Sequence, residues 1–136
     1  FDEQPNELIP AMTLETSLIS LKKFKSGDTI GYGQRYVCEK DTLIGVAAIG
    51  YADGYPRGAQ DGTPVYINGG IARLAGRVSM DMITVDLTGI NSPQIGDRVE
   101  LFGSNISIDE VAQYCNTISY EIFSQITSRV YKTYVP

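Results

Sequence analysis

The sequence predicts a mainly β fold, a closed or partly open β-barrel with two short helices near the C-terminus. Gly-Asp, Asp-Gly and Asn-Gly turn pairs recur between short runs rich in β-branched residues, the spacing of a barrel or sandwich. Helix signals are scarce before residue 105 and then appear twice in quick succession. A length of 136 residues makes one domain, large enough to bury a core without disulfides or metal.

Taken in order, residues 1–9 are polar and irregular, and the domain is expected to occupy residues 10–136. Thr13–Phe24 reads as a long extended segment rich in Leu, Ile and Ser/Thr, and Ser26-Gly27-Asp28 turns it into Thr29–Gly31. Leu43–Ile49 is a nearly continuous apolar run of strand length, the pattern of a strand buried on both faces. Val65–Ile67 and Ile71–Leu74 flank Asn68-Gly69-Gly70, and Asn-Gly supplies the positive φ angles of a tight hairpin. Ile83, Val85 and Leu87 alternate with Thr84 and Asp86, a half-buried strand of period two. Ile95–Val99 repeats the turn-into-strand pattern of Ser26–Ile30, an echo too short to be a duplication.

Ser107-Ile108-Asp109-Glu110 has capping-box spacing, which starts a helix that runs to Tyr114 and stops at Asn116. Ser119 is expected to cap a second helix through Ile126. Arg129–Val135, with its Val and Tyr content, reads as a returning strand in which Tyr131 and Tyr134 pack.

Composition narrows the function. The net charge of −5 and a pI near 4.6 argue against a nucleic-acid surface, and against the RNA-binding barrel that the Gly-Asp pattern alone would admit. No run of 18 apolar residues is present and no stretch reads as a signal peptide, so no membrane partner is expected. Cys38 and Cys115 lack metal or disulfide spacing, which points to a reducing cytoplasm. The chain has no histidine, so proton chemistry must fall to Tyr, Lys, Asp, Glu or Cys, and no metal site is expected.

Three glycine-bearing segments stand out: Gly31-Tyr32-Gly33-Gln34-Arg35-Tyr36, Gly50-Tyr51-Ala52-Asp53-Gly54-Tyr55-Pro56-Arg57 and Arg77-Val78-Ser79-Met80-Asp81-Met82. Loops of this composition let another molecule approach the backbone and present a phenol at a surface. On the residues alone each has a plain alternative. Tyr32 packs its ring and points its hydroxyl to water, Asp53-Gly54 ahead of Pro56 is turn chemistry, and Met80 fills core. As a base, Tyr32 faces an energetic obstacle. A phenol of pKa near 10 is ionised about once in a thousand at pH 7, roughly 4 kcal/mol against the active form, so a cation or donor must lower it.

These three segments, in this order and at these separations, resemble the C-terminal domain of bacterial alanine racemase, from about Pro10 to the end. The resemblance implies a pyridoxal-phosphate enzyme that interconverts L- and D-alanine for peptidoglycan synthesis. Tyr32 is implied as the base acting on L-alanine, opposite a lysine in a preceding (β/α)₈ barrel. That barrel also carries most of the cofactor site and a histidine that tunes the tyrosine. Tyr51 and Arg57 are implied to line the active-site entrance, with Arg77 and Asp81 beside them. Met80 is implied to offer its backbone to the substrate carboxylate, and the Tyr120 hydroxyl to meet the cofactor phosphate. In the family two chains meet head to tail, so this domain caps the barrel of the other subunit in a homodimer. Phe1 in place of Met fits a piece of a longer polypeptide, and the piece alone is expected to be inactive. Two alternatives stay open: a non-catalytic dimerisation or interaction barrel, and a racemase that prefers serine or other amino acids.

Overall fold

The structure is a computed structural model and describes residues 12–30 and 36–134. The strands are β1 (Leu14–Phe24), β2 (Thr29–Ile30), β3 (Tyr36–Val37), β4 (Thr42–Ala47), β5 (Pro64–Ile67), β6 (Gly70–Leu74), β7 (Ile83–Asp86) and β8 (Arg98–Phe102). Two helices follow, α1 (Ile108–Tyr114) and α2 (Ser119–Gln125).

Six strands close into an antiparallel barrel in the order β1-β4-β7-β6-β5-β8, and β8 pairs back onto β1. Closure depends on the length of β1. Its first half, Leu14–Ser17, pairs with β8, and its second half, Leu18–Phe24, pairs with β4. The register shifts between Leu18 and Ser20, a bulge that sharpens the twist where the strand changes partner. Alternation supplies the core: Leu14 and Leu18, Val65 and Ile67, Ala72 and Leu74, and Ile83 and Val85 are all buried, whereas β4 buries both faces, Ala47 in the barrel core and Ile44 against Ile30, Cys38 and Ala75. The β5–β6 hairpin forms as its sequence requires, with Asn68 at φ 49° and Gly69 at φ 80°.

Glu100 in β8 is buried, yet it is satisfied. Its carboxylate accepts from the backbone N–H groups of Asn105 and Ile106, each at 2.8 Å, and from Asn105 Nδ2 at 3.1 Å. Hydrogen bonds to a charged acceptor are the stronger kind, so one carboxylate organises the loop that leads into α1. Ser107 caps α1, but its hydroxyl accepts from the Asp109 N–H at 3.2 Å, and no bond from Glu110 returns to Ser107 among the described residues. Asn116, at φ 55°, ends the turn after α1. Phe123 of α2 meets Phe102 edge-on, with ring centroids 5.9 Å apart, which fixes α2 over one end of the barrel.

Three expectations need correction. The apolar run expected as Leu43–Ile49 forms a strand only over Thr42–Ala47, because the chain then turns toward the Tyr51–Asp53 3₁₀ turn. Ser119 is the first residue of α2 and not its cap; Ile118 holds that place with no side-chain bond. Arg129–Val135 forms no strand over its described residues 129–134, and Tyr131 and Tyr134 are 91% and 89% exposed. A returning strand needs an unpaired edge, and β1 with β8 has already closed the barrel.

A small β2–β3 sheet stands beside the barrel. Ile30 pairs with Tyr36 across it, and Ile30 and Cys38 pack against Ile44 and Ala75. Tyr32 falls within residues 31–35, outside the described residues, so its place in the chain is between these two strands.

Candidate active site

The second and third motifs form one corner. The Tyr51 N–H donates to the Ser79 carbonyl and the Ala52 N–H to the Met80 carbonyl, both at 3.0 Å. Gly50 permits this approach: a Cβ there would lie 2.3 Å from the Ser79 oxygen and 2.4 Å from the Met80 oxygen. Within the turn, the Asp53 carboxylate accepts from the Gly50 N–H at 3.0 Å. Gly54 then reverses the chain at φ 103°, a conformation that side chains rarely tolerate. Ser79 steadies the other loop, with its N–H and hydroxyl donating to the Met82 carbonyl at 3.1 and 2.8 Å.

A third segment closes the corner from below. The Thr127 N–H donates to the Asp53 carbonyl at 3.0 Å and the Thr127 hydroxyl to the Ala52 carbonyl at 2.8 Å. Arg129 lies beside them, its Nε 3.3 Å from one Asp53 carboxylate oxygen and its Nη2 2.9 Å from one of Asp81.

Side chains on this frame divide by exposure. The Arg57 guanidinium carbon lies 5.0 Å from the centre of the half-buried Tyr51 ring, within cation–π range. Met80 is 52% exposed, and its N–H has no hydrogen-bond acceptor among the described residues. A strand-flanking methionine that shows its side chain and leaves its N–H free is not filling core. Arg77 is exposed and makes no ion pair among the described residues. Tyr55, the second tyrosine of its motif, is a core residue. It is buried, its hydroxyl has no partner among the described residues, and burial drives its phenol far above the ordinary range. Burial, then the charge of Asp86, also raises the phenol of Tyr36. Neither phenol is suited to ionise near neutral pH.

Tyr120 stands apart. It is 78% exposed in the first turn of α2, while the other end of the helix, at Gln125, abuts Gly54. That separates it from the corner by roughly 8 Å of helix axis. The frame therefore gathers Tyr51, Arg57, Met80 and Asp81 and leaves Tyr120 at its margin. Sequence reading missed Thr127 and Arg129. The signal lay in charge pairing, since Arg129 is the one arginine after α2 and two of the glycine-bearing motifs carry Asp53 and Asp81.

The model of the family described as "Alanine racemase, C-terminal domain" matches residues 11–134. The alanine racemase of Shewanella frigidimarina is 50% identical over 125 residues, which is 92% of this chain and 34% of that protein. The crystal structure of the biosynthetic alanine racemase from Pseudomonas aeruginosa superposes with a TM-score of 0.92 at 49% identity, over 95% of this chain and 36% of that one. The alanine racemase from Bartonella henselae, solved with covalently bound pyridoxal phosphate, gives 0.86 at 32% identity over 90% and 34%. The chain thus spans about a third of the length of the curated relatives it matches. By this family match, this identity and this superposition, the chain belongs to the alanine racemase C-terminal domain family.

Proposed function

We propose that this domain completes the active site of a pyridoxal-phosphate-dependent alanine racemase, which makes D-alanine for the cell wall in the cytoplasm. In this reading it serves the partner subunit of a head-to-tail homodimer. The observation that carries the reading is the corner itself: an exposed Met80, its N–H without an acceptor among the described residues, locked by backbone bonds beside Tyr51 and Arg57.

All five lysines, Lys22, Lys23, Lys25, Lys40 and Lys132, are exposed, so none has the desolvated setting of a Schiff-base lysine. The exposed Tyr120 hydroxyl does suit a peripheral phosphate contact. The residues present therefore fit an edge of the cofactor site, with the attachment made elsewhere. When bound, pyridoxal phosphate supplies the electron sink that acidifies the substrate Cα–H.

The remaining roles belong to this chain. Tyr32 takes the proton from Cα of L-alanine, or returns one to form it. The Met80 N–H donates to the substrate carboxylate, in fixed geometry and with no charge of its own to desolvate. Tyr51 narrows the entrance, and Arg57 stacked on its ring restricts where the phenol points. Arg77 adds positive potential for an incoming amino-acid carboxylate, and Asp81 shapes its loop through Arg129.

The full-length protein, loaded with pyridoxal phosphate, should convert L-alanine to D-alanine, as read by a D-amino-acid-specific assay. Tyr51→Phe should keep that activity. The lost hydroxyl is worth about 0.5–1.5 kcal/mol net, so rate and KM should change by about tenfold or less. A full-length protein that makes no D-alanine would remove the reading. A Tyr51→Phe variant that is folded but inactive would mean that Tyr51 moves protons and does not merely shape the entrance.

A further inference from the structure

We propose that Arg129 is a positioning residue for substrate binding, a clasp that holds the Tyr51 turn and the Met80 loop in one fixed relation. The proposal rests on the racemase reading and extends it to a residue outside the three motifs.

The geometry is a two-armed bridge. One arm reaches Asp53 inside the turn that carries Tyr51, with Nε 3.3 Å from Oδ1. The other reaches Asp81, the residue after Met80, with Nη2 2.9 Å from Oδ1. The two carboxylates differ in setting. The Asp53 side chain is only 14% exposed and the Asp81 side chain 57%. Asp53 is also anchored, because its other oxygen accepts from the Gly50 N–H at 3.0 Å. A planar guanidinium can serve two acceptors along fixed directions, which a lysine ammonium cannot. The base of the clasp is itself fixed, since Thr127 binds the carbonyls of Ala52 and Asp53 two residues earlier in the chain.

The consequence for binding follows from what each loop offers. The Met80 N–H has no acceptor among the described residues, while its carbonyl is held by the Ala52 N–H at 3.0 Å. The direction of that N–H is therefore set by the orientation of the 79–82 loop against the 50–53 turn. Two backbone bonds fix one edge of that loop, and Arg129 fixes the side-chain edge through Asp81. Without the clasp the loop can roll about its backbone hinge and the N–H loses its aim. A contact made equally in the ground state and the transition state affects KM and leaves kcat nearly unchanged.

The test uses the full-length dimer loaded with pyridoxal phosphate and measures kcat and KM for L-alanine. Arg129→Gln should raise KM by roughly fivefold or less, as befits a solvent-screened ion pair, with kcat within about twofold. Asp81→Asn should raise KM in the same direction. The double variant should be no worse than Arg129→Gln alone, because both changes remove one linkage. Arg129→Lys should recover part of the effect. Arg98→Gln, which removes an exposed pair with Glu15 on the barrel wall, should leave both constants unchanged. An unaltered KM in Arg129→Gln, additive effects in the double variant, or a loss traced wholly to a smaller folded fraction in urea titration would overturn the clasp. A wild-type enzyme that does not racemise alanine would instead remove the underlying racemase reading.

Discussion

Tyr32→Phe in the full-length enzyme should slow racemisation by about 10²–10⁴-fold, the usual cost of removing a general base. Phenylalanine keeps the ring, so circular dichroism should show an unchanged fold. Exchange of the Cα hydrogen with deuterated solvent separates the two directions. Exchange from L-alanine should all but cease, while exchange from D-alanine, which the proposal assigns to a lysine outside this domain, should persist. The sequence contains no histidine, and the phenols of Tyr36 and Tyr55 are both raised, chiefly by burial, which disfavours the ionised form. Unimpaired exchange from L-alanine would assign the base elsewhere.

The largest structural effect should come from Gly54→Ala. Gly54 sits at φ 103°, and a Cβ there would lie 2.2 Å from the Gln125 carbonyl oxygen and 2.6 Å from the Ile126 Cα. These are backbone atoms, so no rotamer change relieves the clash. A positive φ costs an alanine roughly 1–2 kcal/mol and overpacking about 1–3 kcal/mol more, so a loss near ~3 kcal/mol is expected. Gly58→Ala is the matched control. Its Cβ would meet nothing closer than the Cys115 carbonyl oxygen at 3.8 Å, and the substitution should be nearly neutral. Urea unfolding midpoints of the two variants should therefore diverge sharply, although the changes lie in one loop. Equal midpoints would mean that the turn and the α2 terminus are not packed as described.

Where local chemistry decides structure, the sequence was readable. Asn68-Gly69 named its hairpin, the alternation through Val85 named β7, and Ser107 named the start of α1. Barrel closure was less legible, because it depends on β1 switching partners at a bulge near Ile19 that no local signal announces. Arg129–Val135 misled for the same reason. Its Val and Tyr content suits a strand, but strand formation needs an open edge, which is a property of the whole sheet. Motif spacing led to the corner of Tyr51, Arg57, Met80 and Asp81, whereas Thr127 and Arg129 act on it from more than 45 residues away. Tyr55 shows the opposite limit. It shares a motif with Tyr51 four residues earlier, yet it is core, and only three-dimensional packing distinguishes the two.

The central claim is that this domain lends its base to the other subunit, and mixing two disabled enzymes tests it. One carries Tyr32→Phe; the other carries an alanine in place of the Schiff-base lysine proposed to lie outside this domain. If Tyr32 works across the dimer, each hybrid holds one site with both defects and one with neither. Random re-assembly of equal amounts should then restore about a quarter of wild-type activity from two nearly inactive proteins, since half the dimers are hybrid. Hybrid dimers, isolated by two different affinity tags, that remain as inactive as their parents would place Tyr32 and the lysine of each site on the same chain and contradict the account.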